Sequence, residues 1–230
     1  STGMRSMYGG DAAGQSVANT LEARSKSWAV AARNAEDGIS VAQTAESALL
    51  EIASLAQRLR ELGIQADNAA LHQSASDTAA LNAEAAALGT AIDAIVLKST
   101  FNGVVILSKA DLTRDIGVTD DGGTVTLNLK KVSVATRTAA ATADGSADTT
   151  LQEVAIALGN VAAGIAALKG RQAVAYSASA NLAAAAARIE DTDFAKETAN
   201  LAKNSVLNQS AMAMVAQANQ AQSAILAVLQ

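Results

Sequence analysis

A chain of 230 residues with no cysteine holds no disulfide framework, thiolate metal site or Cys nucleophile, and its net charge of −5 offers no basic field to nucleic acid or to an anionic membrane surface. Hydrophobic residues make up 50% of it but aromatics only 2%, and much of the apolar count is alanine, which favours close helix packing in thin rods over a bulky core. Proline is absent altogether, so nothing enforces a helix break and helices can run well past three turns.

From about Gln15 to Gln65, apolar or small residues recur at three-then-four spacing: Trp28, Ala32, Ala35, Ile39 and Ala42, then Leu49, Ile52, Ala56 and Leu59. This is a helical stripe near period 3.5. Its length predicts a helix of roughly 75 Å at about 1.5 Å per residue, with Gly38 a tolerated weak point inside it. A polar loop follows from Asp67 to Ala75. Asp77 is then placed to N-cap a second stripe at Leu81, Ala85, Leu88, Ile92 and Ile95. Two helices joined by a short loop imply an antiparallel hairpin.

Between Ser99 and Ala147 the pattern changes. Short β-type runs appear at Val104 to Leu107 and in the alternation Val125, Leu127, Leu129, which follows the turn-forming Asp120, Asp121, Gly122 and Gly123. Together they predict a small β-hairpin patch, ending in an Ala, Thr, Gly and Asp-rich stretch from Thr138 to Asp148 that reads as a loop. Thr150 and Glu153 have capping-box spacing. They open the most regular stretch of the chain: Leu151, Val154, Leu158, Val161, Ile165 and Leu168, then Ala175, Leu182, Ala186 and Ile189, with Gln172 and Ser179 as the polar intrusions. One heptad phase held without a slip over that span predicts coiled-coil packing against the earlier helices.

Beyond the acidic cluster Glu190, Asp191 and Asp193 comes a final helical segment with no charge from Asn204 to Gln230. It is not read as a membrane span. Asn204, Asn208, Gln209, Gln217, Asn219, Gln220, Gln222 and Gln230 would each be desolvated in hydrocarbon, and no apolar run approaches the roughly 18 residues a span requires. An uncharged helix rich in Ala, Met and amides suits burial among other copies of itself; alone in water it is expected to be poorly ordered.

Two sets of motifs at opposite ends of the chain, read together, resemble the flagellin family. Near the start stand Asp11-Ala-Ala-Gly-Gln15, Arg33-Asn-Ala-Glu-Asp-Gly-Ile-Ser-Val-Ala-Gln-Thr-Ala-Glu46, Arg58-Leu-Arg-Glu-Leu-Gly-Ile-Gln-Ala-Asp-Asn68 and Phe101-Asn-Gly103; near the end, Arg188-Ile-Glu-Asp-Thr-Asp-Phe-Ala195 and Val215-Ala-Gln-Ala-Asn-Gln220. The resemblance covers roughly residues 11 to 107 and 150 to 230. It implies a mainly α fold, an elongated coiled-coil helical rod with a small β-hairpin patch. The expected parts are amino-terminal rod helices over 1–98, a hairpin region and loop over 99–149, a carboxy-terminal rod helix over 150–193 and a carboxy-terminal assembly helix over 194–230. Leu201, Val206, Leu207, Met212, Val215, Ile225 and Leu229 are the apolar residues of that last helix. Residues 1 to 10 follow the family only loosely, and the amino-terminal assembly helix that pairs with the carboxy-terminal one is expected to be lacking.

The function implied is that of a structural subunit of an extracellular bacterial flagellar filament, self-assembling for motility. Its implied partners are other copies of itself, a flagellar export chaperone and cap proteins, and an innate Toll-like receptor. Export of the family through the type III channel fits the lack of a basic-then-apolar leader at the start. Two alternatives stand beside this reading: a hook-filament junction protein, and a flagellin-like cell-surface protein that binds polysaccharide.

By the same resemblance, Arg58, Leu62 and Glu84 are the positions of receptor recognition and subunit contact. Read from the residues alone, Arg58 and Glu84 are exposed charges in helix salt bridges and Leu62 is packing. His72, the single histidine, reads as a solvated loop residue, and one histidine cannot build a His-based triad or an H-E-x-x-H metallopeptidase. The Glu190, Asp191, Asp193 cluster has the chemistry for a cation such as calcium, but consecutive carboxylates more often mark a helix junction. No catalytic, cofactor or metal residue is therefore assigned.

Overall fold

The computed structural model describes residues 11–68, 74–133 and 139–228. Four helices dominate: α1 (Ala12–Ala66), α2 (Ala75–Lys98), α3 (Ala143–Glu190) and α4 (Phe194–Val228). Between α2 and α3 lie two small antiparallel hairpins, β1 (Thr100–Phe101) with β2 (Val104–Val105), and β3 (Leu112–Gly117) with β4 (Thr124–Leu129). Among the described residues the fold is mainly α, with long helices and only these small strand pairs. The chain forms two compact units, one from Ala23–Leu182 and the other from the residues up to Glu22 together with those from Ala183 onward.

In the first unit, α1 and α3 run antiparallel along each other, since contacts advance on one helix as they retreat on the other. The Ser25 hydroxyl donates to the Ser179 carbonyl at 2.8 Å, Gln172 and Tyr176 both donate to Glu36, and Arg60 donates to Asp148 at 2.8 Å. The seam of α1 is the predicted stripe: Ala32, Ala35, Ala42, Leu49, Ile52, Ala56 and Leu59 are all buried, with Trp28 and Ile39 partly so. Leu49, Ile52, Leu59 and Leu62 join Ile92 and Val96 of α2 and Leu127 of β4 in one core. Each such side chain contributes roughly 1.5–3 kcal/mol by leaving water. Much of the rest of that core is alanine, so backbone proximity replaces side-chain bulk.

Several local expectations change. Ser74, not Asp77, caps α2: its side chain accepts the Asp77 N–H at 3.1 Å, so Asp77 stands inside the first turn, where its charge favours the helix dipole. On α2 the fully buried residue near the end is Val96, with Ile95 only partly covered. The stretch expected to be a loop up to Asp148 instead carries a single 3-10 turn, Ala140–Thr142, and the first turns of α3, which begins at Ala143 rather than Thr150. Thr150 is thus no cap. Its hydroxyl donates to the carbonyls of Ser146 and Ser133, and Glu153 accepts the Ser133 N–H at 2.7 Å, pinning the approach to α3. The buried seam of α3 keeps Val154, Val161, Leu168, Ala175 and Ala186 of the expected stripe, but its alternate positions fall one residue earlier, at Thr150 and Ala157, leaving Leu151, Leu158 and Ile165 as partly buried flanks. Small residues let α3 sit close, and the large ones then fit beside the contact rather than in it.

The hairpins are set by their turns. Asn102 and Gly103 both adopt positive φ, 49° and 76°, the two-residue loop that matches strand twist. At the other turn, Gly122 has φ 90°, and the Thr119 hydroxyl donates to Asp121 while accepting the Gly123 N–H at 2.6 Å. Gly38 is no mere weak point: a Cβ there would lie 3.1 Å from both Ile116 of β3 and Leu168 of α3, so its lack of a side chain seats the hairpin.

In the second unit, Gln15 donates to Glu190 at 3.0 Å and Ala18 and Ala186 are buried. Two helical stretches, Ala75–Lys98 and Ala140–Glu190, are long and apolar enough to cross a membrane by length and composition. Both bury one seam in the core described above, α2 through Leu81, Ala85, Ile92 and Val96 and α3 through Val154, Ala157 and Val161.

Candidate functional site

The pairing of α1 with α2 brings Arg58 and Glu84 together. Arg58 Nε and Nη2 donate to Glu84 Oε1 at 3.1 and 2.8 Å, and Nη1 donates to Glu61 Oε2 at 3.0 Å. The side chains of Arg58 and Glu84 remain 51% and 45% exposed. Hydrogen bonding to the Glu84 carboxylate raises the Arg58 pKa further above its ordinary value, so the cation is permanent. Leu62, one turn further on, has no exposed surface and belongs to the main core. Arg58, Glu61 and Glu84 therefore share an outer charged cluster, and Leu62 lies in the packing of the same helix. Exposed pairs of this kind are weak. A double-mutant cycle with Arg58→Ala and Glu84→Ala is expected to show a coupling of about 0.5 kcal/mol in urea unfolding. A coupling above roughly 2 kcal/mol would mean that the pair, rather than the apolar seam, holds α2 to α1.

A second feature is not apparent from the sequence. A cleft of about 540 Å³ opens between α1 and the hairpins, lined by Asp37, Val41, Phe101, Val104, Arg114 and Ile116 among others. Arg114 Nη2 donates to the Val105 carbonyl at 2.9 Å and ties β3 to β2, whereas Nε is buried without a hydrogen-bond partner. The signal that could have exposed it is alternation: Leu112, Arg114 and Ile116 share one face of β3, so a cation stands in an apolar phase.

The acidic cluster resolves into a helix junction. Glu190 accepts from Gln15, and Asp193 caps α4, its Oδ1 accepting the N–H groups of Ala195 and Lys196 at 3.1 and 3.2 Å. Among the described residues no three His, Asp or Glu side chains gather as a metal-binding set. His72 and Leu229 lie outside the described residues, and so does the side chain of Ile225.

Among the described residues, α4 presents a long exposed surface. Every side chain described from Phe194 to Ala224 is exposed, including Leu201, Val206, Leu207, Met212, Met214 and Val215. At about 100° per residue these apolar groups do not form one stripe: Val206 and Leu207 are about 100° apart and Met212 and Met214 about 200°. A helix that is apolar on several sides is one that becomes covered on several sides.

Comparison with known proteins bears on this arrangement. Residues 1–111 match the bacterial flagellin N-terminal helical region, and residues 145–229 match the bacterial flagellin C-terminal helical region. A flagellin of Halalkalibacterium halodurans is 35% identical over 100% of this chain and 89% of its own length. A flagellin of Bacillus subtilis is 33% identical over 100% of this chain and 90% of its own. Among solved structures, the crystal structure of Bacillus cereus flagellin aligns with 24% identity over 74% of this chain and 94% of that one, at a TM-score of 0.43.

Proposed function

The chain belongs to the bacterial flagellin family and is a structural subunit of the flagellar filament, and we propose that α4 is the helix through which it joins neighbouring copies. One observation carries this: a helix of 35 residues, uncharged from Asn204 onward, leaves Leu201, Val206, Leu207, Met212 and Val215 in water. Burying such a surface against other copies is the driving force for assembly, and the Asn and Gln side chains between the apolar ones supply hydrogen bonds across the contact. Ile225 and Leu229 extend the same segment.

The finer assignments follow from this reading. The filament is extracellular, and the chain works there as a building element with no catalytic role. Before assembly an apolar helix of this size is an aggregation liability, which gives an export chaperone a surface to cover, and a cap protein a surface to guide at the filament tip. The exposed cluster of Arg58, Glu61 and Glu84, backed by Leu62, is proposed as both a subunit contact and the surface presented to an innate Toll-like receptor. The relatives named above are flagellins, which leaves the hook-filament junction and polysaccharide-binding readings without support.

The test is polymerisation of the full natural chain beside a version ending at Asp193, followed by light scattering and electron microscopy. Filaments from the first and monomers from the second are expected. Filaments from the truncated chain would remove α4 from the assembly role.

A further inference from the structure

We propose that Met212 and Met214 make assembly sensitive to oxidation: converting them to sulfoxides in the free subunit blocks its entry into the filament, and reduction restores it. The inference rests on the reading of α4 as the assembly helix and adds a modification site to it.

The observations are geometric. Met212 and Met214 are 61% and 71% exposed, so both thioethers are open to a small oxidant in the free subunit. They stand about 200° apart around the helix axis, on nearly opposite sides. A neighbour that covers either side of α4 therefore meets one of them, and one that covers both meets two. The surrounding helix offers no charge from Asn204 onward, only apolar side chains, serines and amides. A thioether suits such a contact because it is flexible and polarisable. A sulfoxide does not, since its oxygen is a strong acceptor that must be desolvated on burial.

The chemistry balances with a hydroperoxide as the oxidant. The methionine sulfur attacks the terminal peroxide oxygen, the O–O bond breaks, and sulfur gains that oxygen and becomes the sulfoxide. Hydrogen peroxide leaves as water, so sulfur is oxidised by two electrons and the peroxide is reduced by two. A thiol-dependent methionine sulfoxide reductase runs the reverse change, with a disulfide and water as the other products. Once the helix is covered, peroxide no longer reaches either sulfur, so the filament is expected to resist what the free subunit does not.

The experiment treats the full natural chain with hydrogen peroxide as monomer, removes the oxidant, confirms the added oxygens by peptide mass spectrometry, and measures the critical concentration for polymerisation. A rise of about tenfold or more is expected, reversed by the reductase. The double variant Met212→Leu, Met214→Leu keeps the apolar volume and retains Met4 and Met7. It is expected to polymerise equally well before and after peroxide. An unchanged critical concentration for the oxidised chain, or equal sensitivity of the double variant, overturns the proposal. Failure of the untreated chain to polymerise at all is a separate result, which defeats the assembly reading and this inference with it.

Discussion

Gly63→Ala is expected to destabilise the chain by about 2 kcal/mol, although alanine is the better helix former by nearly 1 kcal/mol. Gly63 lies in the seam of α1 where the start of α3 crosses. A Cβ at that position would stand 2.4 Å from the backbone nitrogen of Asp144 and 2.9 Å from its Cα. These are backbone atoms near the start of a helix, and they cannot swing aside as a side-chain tip can. Either α1 and α3 separate, which strips contact from Leu59 and Leu62 nearby, or the first turn of α3 unwinds. The neighbouring glycines supply the control. Gly159 and Gly170 are helical positions of α3 where an added Cβ would meet nothing within 4 Å, so alanine there is expected to stabilise by up to about 1 kcal/mol. Urea unfolding followed by circular dichroism reads all three variants. Opposite signs at Gly63 and at Gly159 and Gly170 are the expected result; a gain at Gly63 would show that the two helices approach less closely than these distances require.

The same contrast explains which parts of the fold are legible in the sequence. The stripe of α1 is readable because Leu49, Ile52 and Leu59 are large and the spacing between them is regular. Alternate positions of the α3 seam lie one residue off its apparent stripe because Thr150, Ala157 and Gly164 are small and register weakly against Leu151, Leu158 and Ile165, whereas Val154, Val161 and Leu168 are buried where the stripe puts them. Gly164 is the plainest case: a Cβ there would lie 2.4 Å from the Cδ1 of Leu127 of β4, so the absence of a side chain leaves room for that leucine as it stands. Hydrophobic periodicity detects what fills space and not what leaves it free. The start of α3 is hidden for a related reason, since Ala143, Gly145 and Ser146 look like loop residues until Thr150 and Glu153 are seen holding Ser133. Of the candidate site, the Arg58–Glu84 pair follows from helix pairing, whereas Arg114 is obscured because Leu112–Gly117 does not stand out as a strand. The motifs that carry the family resemblance lie on α1, on α4 and its approach, and at the β1–β2 turn, and they require no packing information at all.

Leu207→Glu is expected to suppress filament formation while leaving the free subunit unchanged. In the monomer Leu207 is 56% exposed, on a helix none of whose described side chains from Phe194 to Ala224 is buried. A surface substitution of that kind alters folding stability by no more than about 0.5 kcal/mol. In the assembled state the same carboxylate would be buried with Lys203, one turn before it, as the one cation of its own helix within reach, since every side chain after Lys203 is uncharged. Burying such a pair carries a desolvation cost that the mutual attraction offsets only in part, leaving about 3 kcal/mol net, and each 1.4 kcal/mol is about a tenfold change in the equilibrium for adding a subunit. The critical concentration should therefore rise by roughly a hundredfold. Leu207→Gln separates charge from lost apolar area, because amides already populate this helix at Asn204, Asn208 and Gln209; its effect is expected to stay near tenfold. Sedimentation of polymer across a concentration series, with circular dichroism of the monomers beside it, measures both. Filaments of Leu207→Glu at the unmodified chain's critical concentration would mean that this part of α4 remains in water after assembly, and the contact would then have to be sought on its other faces or on the outer cluster of Arg58, Glu61 and Glu84.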